Sequence, residues 1–175
     1  QPVDQASFYI GGIESFRESA ERNHRQTSTH VVQFAEISAD EHIHTKTGFP
    51  TGSILYYIQR VRYLDGKALI LDINMFLKSQ VPGLTREIAE GSIYDYIEKE
   101  LGMQIITSKR TMTVEHTTQV DEKYLELKDY NCLAVVTNQT YNADGIMFEY
   151  TQSRHRPDFF RFQETATRKH RQETQ

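Results

Sequence analysis

At 175 residues, with 38% apolar and 25% charged positions, the chain has the material for one compact core, and nine Phe and ten Tyr add large apolar surface. Apolar runs such as 54–58 fall far short of the roughly 20 residues a membrane-spanning helix needs, and no charged start followed by an apolar stretch marks a signal peptide, so a soluble, cytoplasmic protein with no membrane contact is expected. Twenty Lys and Arg against 24 Asp and Glu give a formal charge of −4, without the basic excess that binding a phosphate backbone calls for, so this segment is not expected to touch DNA itself.

In chain order, residues 1–12, ending in Gly11-Gly12, read as a linker, and the start at Gln1 without Met suggests a missing N-terminal part with an activity of its own. Ser15 with Glu18 has capping-box spacing and predicts a helix through Asn23. Ser38 with Glu41 repeats the signature for a short helix near Thr45. Ser92 with Asp95 opens a third, with Ile93, Tyr94, Ile97 and Leu101 at helical spacing and Gly102 as its stop. Asp121 and Glu122 read as a further helix start. Runs rich in β-branched and aromatic residues predict strands at 29–37, 53–64, 68–77, 104–116, 133–141 and 147–156, and the single Cys132, which has no disulfide partner, borders the fifth as a packed strand residue. Asp65-Gly66 and Ala143-Asp144-Gly145 make two of the connections hairpins. The resulting fold class is α+β, a mainly antiparallel sheet covered by short helices on one side over residues 13–167, with a polar tail at 168–175.

Charge placement points to a ligand. Arg60 and Arg62 stand two apart on a strand, so both guanidiniums share one face, an arrangement that suits either solvent or a shared phosphate or carboxylate. Whether Asp72 joins them depends on the turn: a two-residue loop at Asp65-Gly66 turns Asp72 away, whereas a three-residue loop pairing Tyr63 with Lys67 and Ile58 with Asp72 brings it alongside, and this second register is expected. Ser15 and Ser92 place helix N-termini, which favour anions, and Arg17 in a first turn is unfavourable there unless a negative group lies near. With Arg60 partly exposed, Arg60→Ala would weaken anion binding with little loss of fold. His42 and His44 are two apart on a predicted helix, which separates the rings, and no Cys or His cluster completes a metal set. Neither a nucleophile elbow nor a phosphate-binding Gly-rich loop is present, and no cofactor is expected.

Taken together, Ile13-Glu14-Ser15-Phe16, Arg60-Val61-Arg62-Tyr63-Leu64-Asp65-Gly66, Val81-Pro82-Gly83-Leu84, Gly91-Ser92-Ile93-Tyr94, Phe148-Glu149-Tyr150-Thr151 and Phe160-Arg161-Phe162 have an order and spacing that resembles the UTRA effector domain of GntR regulators of the HutC subgroup. Leu84-Thr85-Arg86-Glu87-Ile88, 92–98 and Ser153-Arg154-His155-Arg156 resemble the branch that represses trehalose operons. The resemblance implies a chorismate-lyase-like fold, a homodimer, operator binding only through an N-terminal winged-helix domain, and a sugar phosphate effector, trehalose 6-phosphate in that branch. It also implies a phosphate held around Ser15, Arg17, Arg60, Arg62 and Ser92, and sugar contacts from Asp72, Glu149 and His155. Glu149 and His155 lie six apart and so share a strand face, with Arg154 and Arg156 on the other. The sequence departs from the family pattern at Arg17, where a small hydroxyl residue is usual, at Asp72 in place of Glu and at His155 in place of Tyr. Two other readings stay open: a lyase-type enzyme on the same fold, and a dimerisation module with no effector.

Overall fold

A computed structural model of the chain describes residues 6–8, 24 and 26–168. The expected 15–23 helix, with Ser15 and Arg17, lies outside the described residues, as does the tail beyond Arg168. In order the elements are β1 (Ala6–Phe8), β2 (Thr27–Ser38), α1 (Glu41–Thr47), β3 (Ile54–Leu64), β4 (Lys67–Leu77), α2 (Arg86–Glu90) and α3 (Ile93–Asp95), which continues as a π-helical turn, Tyr96–Glu100. Next come β5 (Ile105–His116), α4 (Gln119–Tyr124), β6 (Cys132–Asn142), β7 (Met147–His155), a 3-10 turn (Pro157–Phe159) and β8 (Phe160–Phe162).

Six strands form one sheet in the order β2-β3-β4-β7-β6-β5, antiparallel at every pairing, with tight hairpin turns joining β3 to β4 and β6 to β7. Within residues 1–12, β1 pairs parallel with β8 in a separate two-stranded sheet. Helix caps explain the short helices. Ser92 accepts from the Asp95 N–H at 3.1 Å, and Gly102 comes after the helix with φ 63°. Thr118 and Asp121 close a reciprocal capping box at α4. At α1 the start lies two residues beyond Ser38, because β2 stays paired through Ser38 with Ile54, and Asp40 caps instead by accepting from Ile43 N–H at 2.8 Å.

Two expectations need correction. The helices do not cover one side only. Burial along β4 is nearly continuous rather than alternating, the mark of a strand covered on both faces. On one face, Ile58, Phe76, Val31 and Tyr56 pack with Ala89 of α2 and with Ile93 and Ile97 of the segment after Ser92. On the other, Val61, Leu71 and Leu133 pack with Val120 and Tyr124 of α4, while Leu55 and Met75 pack with Ile43 of α1.

The second correction is the register of the β3–β4 hairpin. Asp65 and Gly66 both have positive φ, 49° and 80°, and close a two-residue loop with Leu64 opposite Lys67, not the three-residue loop that would set Tyr63 against Lys67 and Ile58 against Asp72. The partners then jump from Tyr63–Ala68 to Arg62–Ile70, leaving Leu69 as a bulge. Leu69 is fully buried beside Leu64 and Phe159, and its carbonyl accepts from Arg156 N–H at 3.0 Å. The added residue restores the parity, so Asp72 stands opposite Arg60 and on its face.

The face away from the arginines carries a buried ion pair. Arg154 donates from Nε and Nη2 to the two oxygens of Asp121, both at 2.9 Å, tying β7 to α4. Removing Asp121 leaves the buried Arg154 with only its longer contact to the Glu115 carboxylate, at 3.4 Å. Asp121→Ala is expected to cost about 3–5 kcal/mol in urea denaturation, while Glu122→Ala next to it stays within about 0.5 kcal/mol. A loss under about 1 kcal/mol for Asp121→Ala would show that the pair does not anchor α4.

Candidate functional site

Pairing across β2, β3, β4 and β7 places Thr29, Arg60, Arg62, Ile70, Asp72, Asn74, Glu149, Thr151, Ser153 and His155 on the same sheet face. Arg60 and Arg62 are both buried there, Arg60 at 4% exposure, so the partly exposed side chain envisaged for Arg60→Ala is not what the fold provides. Arg60 Nε donates to Asn74 Oδ1 at 2.8 Å and Nη1 to the Ala89 carbonyl at 3.2 Å, while Nη2 lies 3.9 Å from Asp72. Arg62 Nε donates to Asp72 Oδ2 at 2.8 Å and Nη1 to Thr29 Oγ1 at 2.8 Å. One carboxylate therefore faces two guanidiniums.

The electrostatics reflect that count. Burial, then repulsion from Arg62, lowers Arg60 to about 9, with Asp72 and Glu149 pulling the other way. Burial pushes the Asp72 carboxyl up, but Arg62, Arg60 and a hydrogen bond from Ser153 outweigh it and hold it below the ordinary value. Glu149 is pushed up by burial, against hydrogen bonds from Tyr94, Thr151 and Thr140. At neutral pH Arg60 keeps its charge in a setting that penalises it, and an additional anion nearby would relieve that penalty.

A continuous chain of hydrogen bonds leaves the arginines. Asn74 Nδ2 donates to Thr151 Oγ1 at 2.9 Å, Thr151 donates to Glu149 Oε2 at 2.7 Å, and Tyr94 of α3 donates to Glu149 Oε1 at 2.6 Å. Arg60 is thereby connected to the helix that Ser92 caps, and its contact with Ala89 reaches the end of α2 just before Ser92. His155 is 3% exposed, with its ring 5.3 Å from that of Phe160.

Of the eight residues singled out in the sequence, Arg60, Arg62, Asp72, Glu149 and His155 share the face, Ser92 starts the helix packed over it, and Ser15 and Arg17 lie outside the described residues. Asn74, Tyr94, Thr151 and Thr29 were missed. The signal for Asn74 lay in Leu71-Asp72-Ile73-Asn74-Met75, two polar residues on one face of an otherwise apolar strand. A separate concavity of about 500 Å³, bounded by Phe49, Ile54, Leu77 and Ile146, has no ionisable side chain in its lining and so lacks this chemistry.

Burial lowers the His155 imidazole to about 4, Asp72 pulling the other way. The unfolded chain takes up this proton near its ordinary value of about 6.5, so between the two values the unfolded state binds more protons. The neutral ring thus supports the fold fully above about pH 6.5, and that support fades as pH falls toward 4. His155→Phe is expected to flatten the pH dependence of urea stability in this window by on the order of 3 kcal/mol. An unchanged slope would assign the dependence elsewhere.

The UTRA domain family matches residues 22–161. HTH-type transcriptional regulator TreR of Bacillus subtilis (strain 168) is 36% identical over 165 residues, which is 94% of this chain and 69% of that protein. Mannosyl-D-glycerate transport/metabolism system repressor MngR of Escherichia coli (strain K12) is 25% identical over 166 residues, 95% of this chain and 69% of that protein. The chain thus spans about two thirds of the length of these two regulators. The solved effector-binding domain of the B. subtilis trehalose repressor superposes with a TM-score of 0.73 at 37% identity, covering 82% of this chain and 99% of that one. A family match over most of the chain, joined to this fold and to relatives that are transcriptional regulators, means that the chain belongs to the UTRA domain family as the effector-binding domain of a GntR-family regulator.

Proposed function

We propose that this domain senses a sugar phosphate, trehalose 6-phosphate, and as part of a cytoplasmic homodimeric repressor relieves DNA binding by an N-terminal winged-helix domain when the ligand is bound. The observation that carries the reading is the pair of buried guanidiniums facing one carboxylate on a strand face that also bears Glu149 and His155. Phosphate would be held by Arg60 and Arg62, with Ser92 and with Ser15 and Arg17 from the preceding segment. The sugar hydroxyls would meet Asp72, Glu149 and His155. A neutral His155 can exchange hydrogen bonds with hydroxyls without adding charge. In this reading residues 1–12 connect to the DNA-binding part, 13–167 form the effector-binding domain and 168–175 a polar tail, and the domain performs no chemistry on its ligand. The phosphorylated disaccharide is supported by the likeness to the trehalose repressor.

Regulation requires more than affinity. The ligand shifts the arrangement of the DNA-binding heads only by the difference between its affinities for the two arrangements. Calorimetric titration with trehalose 6-phosphate, glucose 6-phosphate and N-acetylglucosamine 6-phosphate should give saturable heat with the first, and no heat would defeat the assignment. Arg60→Lys keeps the charge but loses the fork that reaches Asn74 and Ala89, so affinity should fall about tenfold or more with the fold intact. Mass spectrometry after prolonged incubation should return the ligand unchanged, and a product would make the domain an enzyme.

A further inference from the structure

We propose that two copies of this chain associate through the outer edge of β5, antiparallel about a two-fold axis at Met112, so that their sheets join into one. This names a surface for the homodimer of the proposed function and rests on that part of it, while its test needs no sugar phosphate.

The two edges of the sheet differ. On β2 the ladder is broken between Val31 and Gln33, and Arg86 Nη1 donates to the Val31 carbonyl at 2.8 Å, so a bulge and a side chain interrupt the strand. On β5 the break falls near the start, between Ile105 and Thr107, which accounts for the 51% exposure of the bulged Ile106. From Thr107 to His116 the ladder to β6 is unbroken, and among the described residues no strand pairs with the outer side. Within this run Val114 is 75% exposed, the highest value among the exposed large hydrophobic residues described. A long regular edge bearing an exposed β-branched apolar side chain is a template for strand addition.

Symmetry limits the register. A two-fold axis normal to the sheet returns each face to itself, so the axis passes through one residue and its copy, and residues equally far from it oppose each other. Centred on Met112, Lys109 faces Glu115 of the second copy and Glu115 faces the second copy's Lys109. Thr111 then faces Thr113, and Val114 lies against the stem of Arg110. Centred on Thr111, Lys109 faces Thr113 and Glu115 faces Thr107. Centred on Arg110, two arginines oppose each other. Centred on Thr113, Lys109 faces Thr117, beyond the strand. Only the Met112 centre sets opposite charges face to face across this run. Glu115 is already held for the contact, accepting from Thr113 Oγ1 at 2.9 Å and from Arg154 Nη1 at 3.4 Å. Met112, Val114 and Arg110 lie on the face of the arginine site, so both sites would open on the same side of the joined sheet.

The test uses the 175-residue chain with Cys132, its one cysteine, changed to Ala. Adding Met112→Cys should give a covalent dimer under mild oxidation, whereas Thr29→Cys on β2 should not. In sedimentation, Lys109→Glu should weaken self-association about tenfold and Lys109→Arg should not. Chains carrying K109E mixed with chains carrying E115K restore both opposite-charge contacts and should form the mixed dimer in preference to either self-pair. A monomer at every concentration would overturn the proposal together with the homodimer. A dimer that ignores K109E and does not cross-link through position 112 would overturn this interface and leave the homodimer standing.

Discussion

The Asp72 carboxylate placed between Arg60 and Arg62 is the contact on which the rest of the site depends, and it exists because of one extra residue in β4. A two-residue turn at Asp65-Gly66 with an unbroken ladder would pair Asp72 with Gln59 and send it to the opposite face, beside Val61, and would leave two buried guanidiniums without that counter-charge. Either outcome costs several kcal/mol. The bulge at Leu69 avoids both. Its influence extends further along the sheet, since Asn74 on β4 and then Thr151, Ser153 and His155 on β7 take their side from the same shift.

Because the central strands are covered on both faces, a polar residue within them must find its partners inside the protein. The arginine face solves this with a shared network. Arg60 is bonded to Asn74, Asn74 to Thr151, Thr151 to Glu149 and Glu149 to Tyr94. Each group is oriented by its neighbour, which is what a site for a polar ligand needs, because donors already aimed do not lose orientational freedom on binding. The opposite face uses the reverse count, Arg154 held by both oxygens of Asp121 and reached by Glu115. The contrast sets one arginine with two carboxylates apart from two arginines that share Asp72, the arrangement on which the proposed anion site rests.

Much of the fold was legible because its signals are local. The β-branched and aromatic runs locate all six strands of the main sheet to within a few residues, Asp65-Gly66 marks a hairpin, and Ser92 caps the helix it was expected to cap. What escaped was set at longer range. Nothing in Lys67-Ala68-Leu69-Ile70 announces a bulge, since no glycine or proline interrupts it, and the shift is enforced by Arg156 and the packing of Leu64 and Phe159. Asp72 reaches the expected face through a different turn from the expected one. The second helical cover was missed because α1 and α4 are only 7 and 6 residues long, and so short an amphipathic segment says little about which side it will meet. Asn74 carries no charge to stand out in the sequence, although the site uses this neutral amide to aim a charged group.

The same geometry bears on how a ligand could act at a distance. Arg60 already donates to the Ala89 carbonyl at the end of α2, and Glu149 already accepts from Tyr94 in α3. In the proposed complex, a phosphate that draws on Arg60 and a hydroxyl that draws on Glu149 would compete with bonds holding these two helices to the sheet. The free energy of binding would then be divided between the ligand's own contacts and the release of the helices. Only the second part depends on helix position, and only such a part can shift a conformational equilibrium. A sugar without phosphate would reach Glu149 but leave the Arg60 bond to Ala89 in place, so it could bind at that end while displacing one helix and not the other.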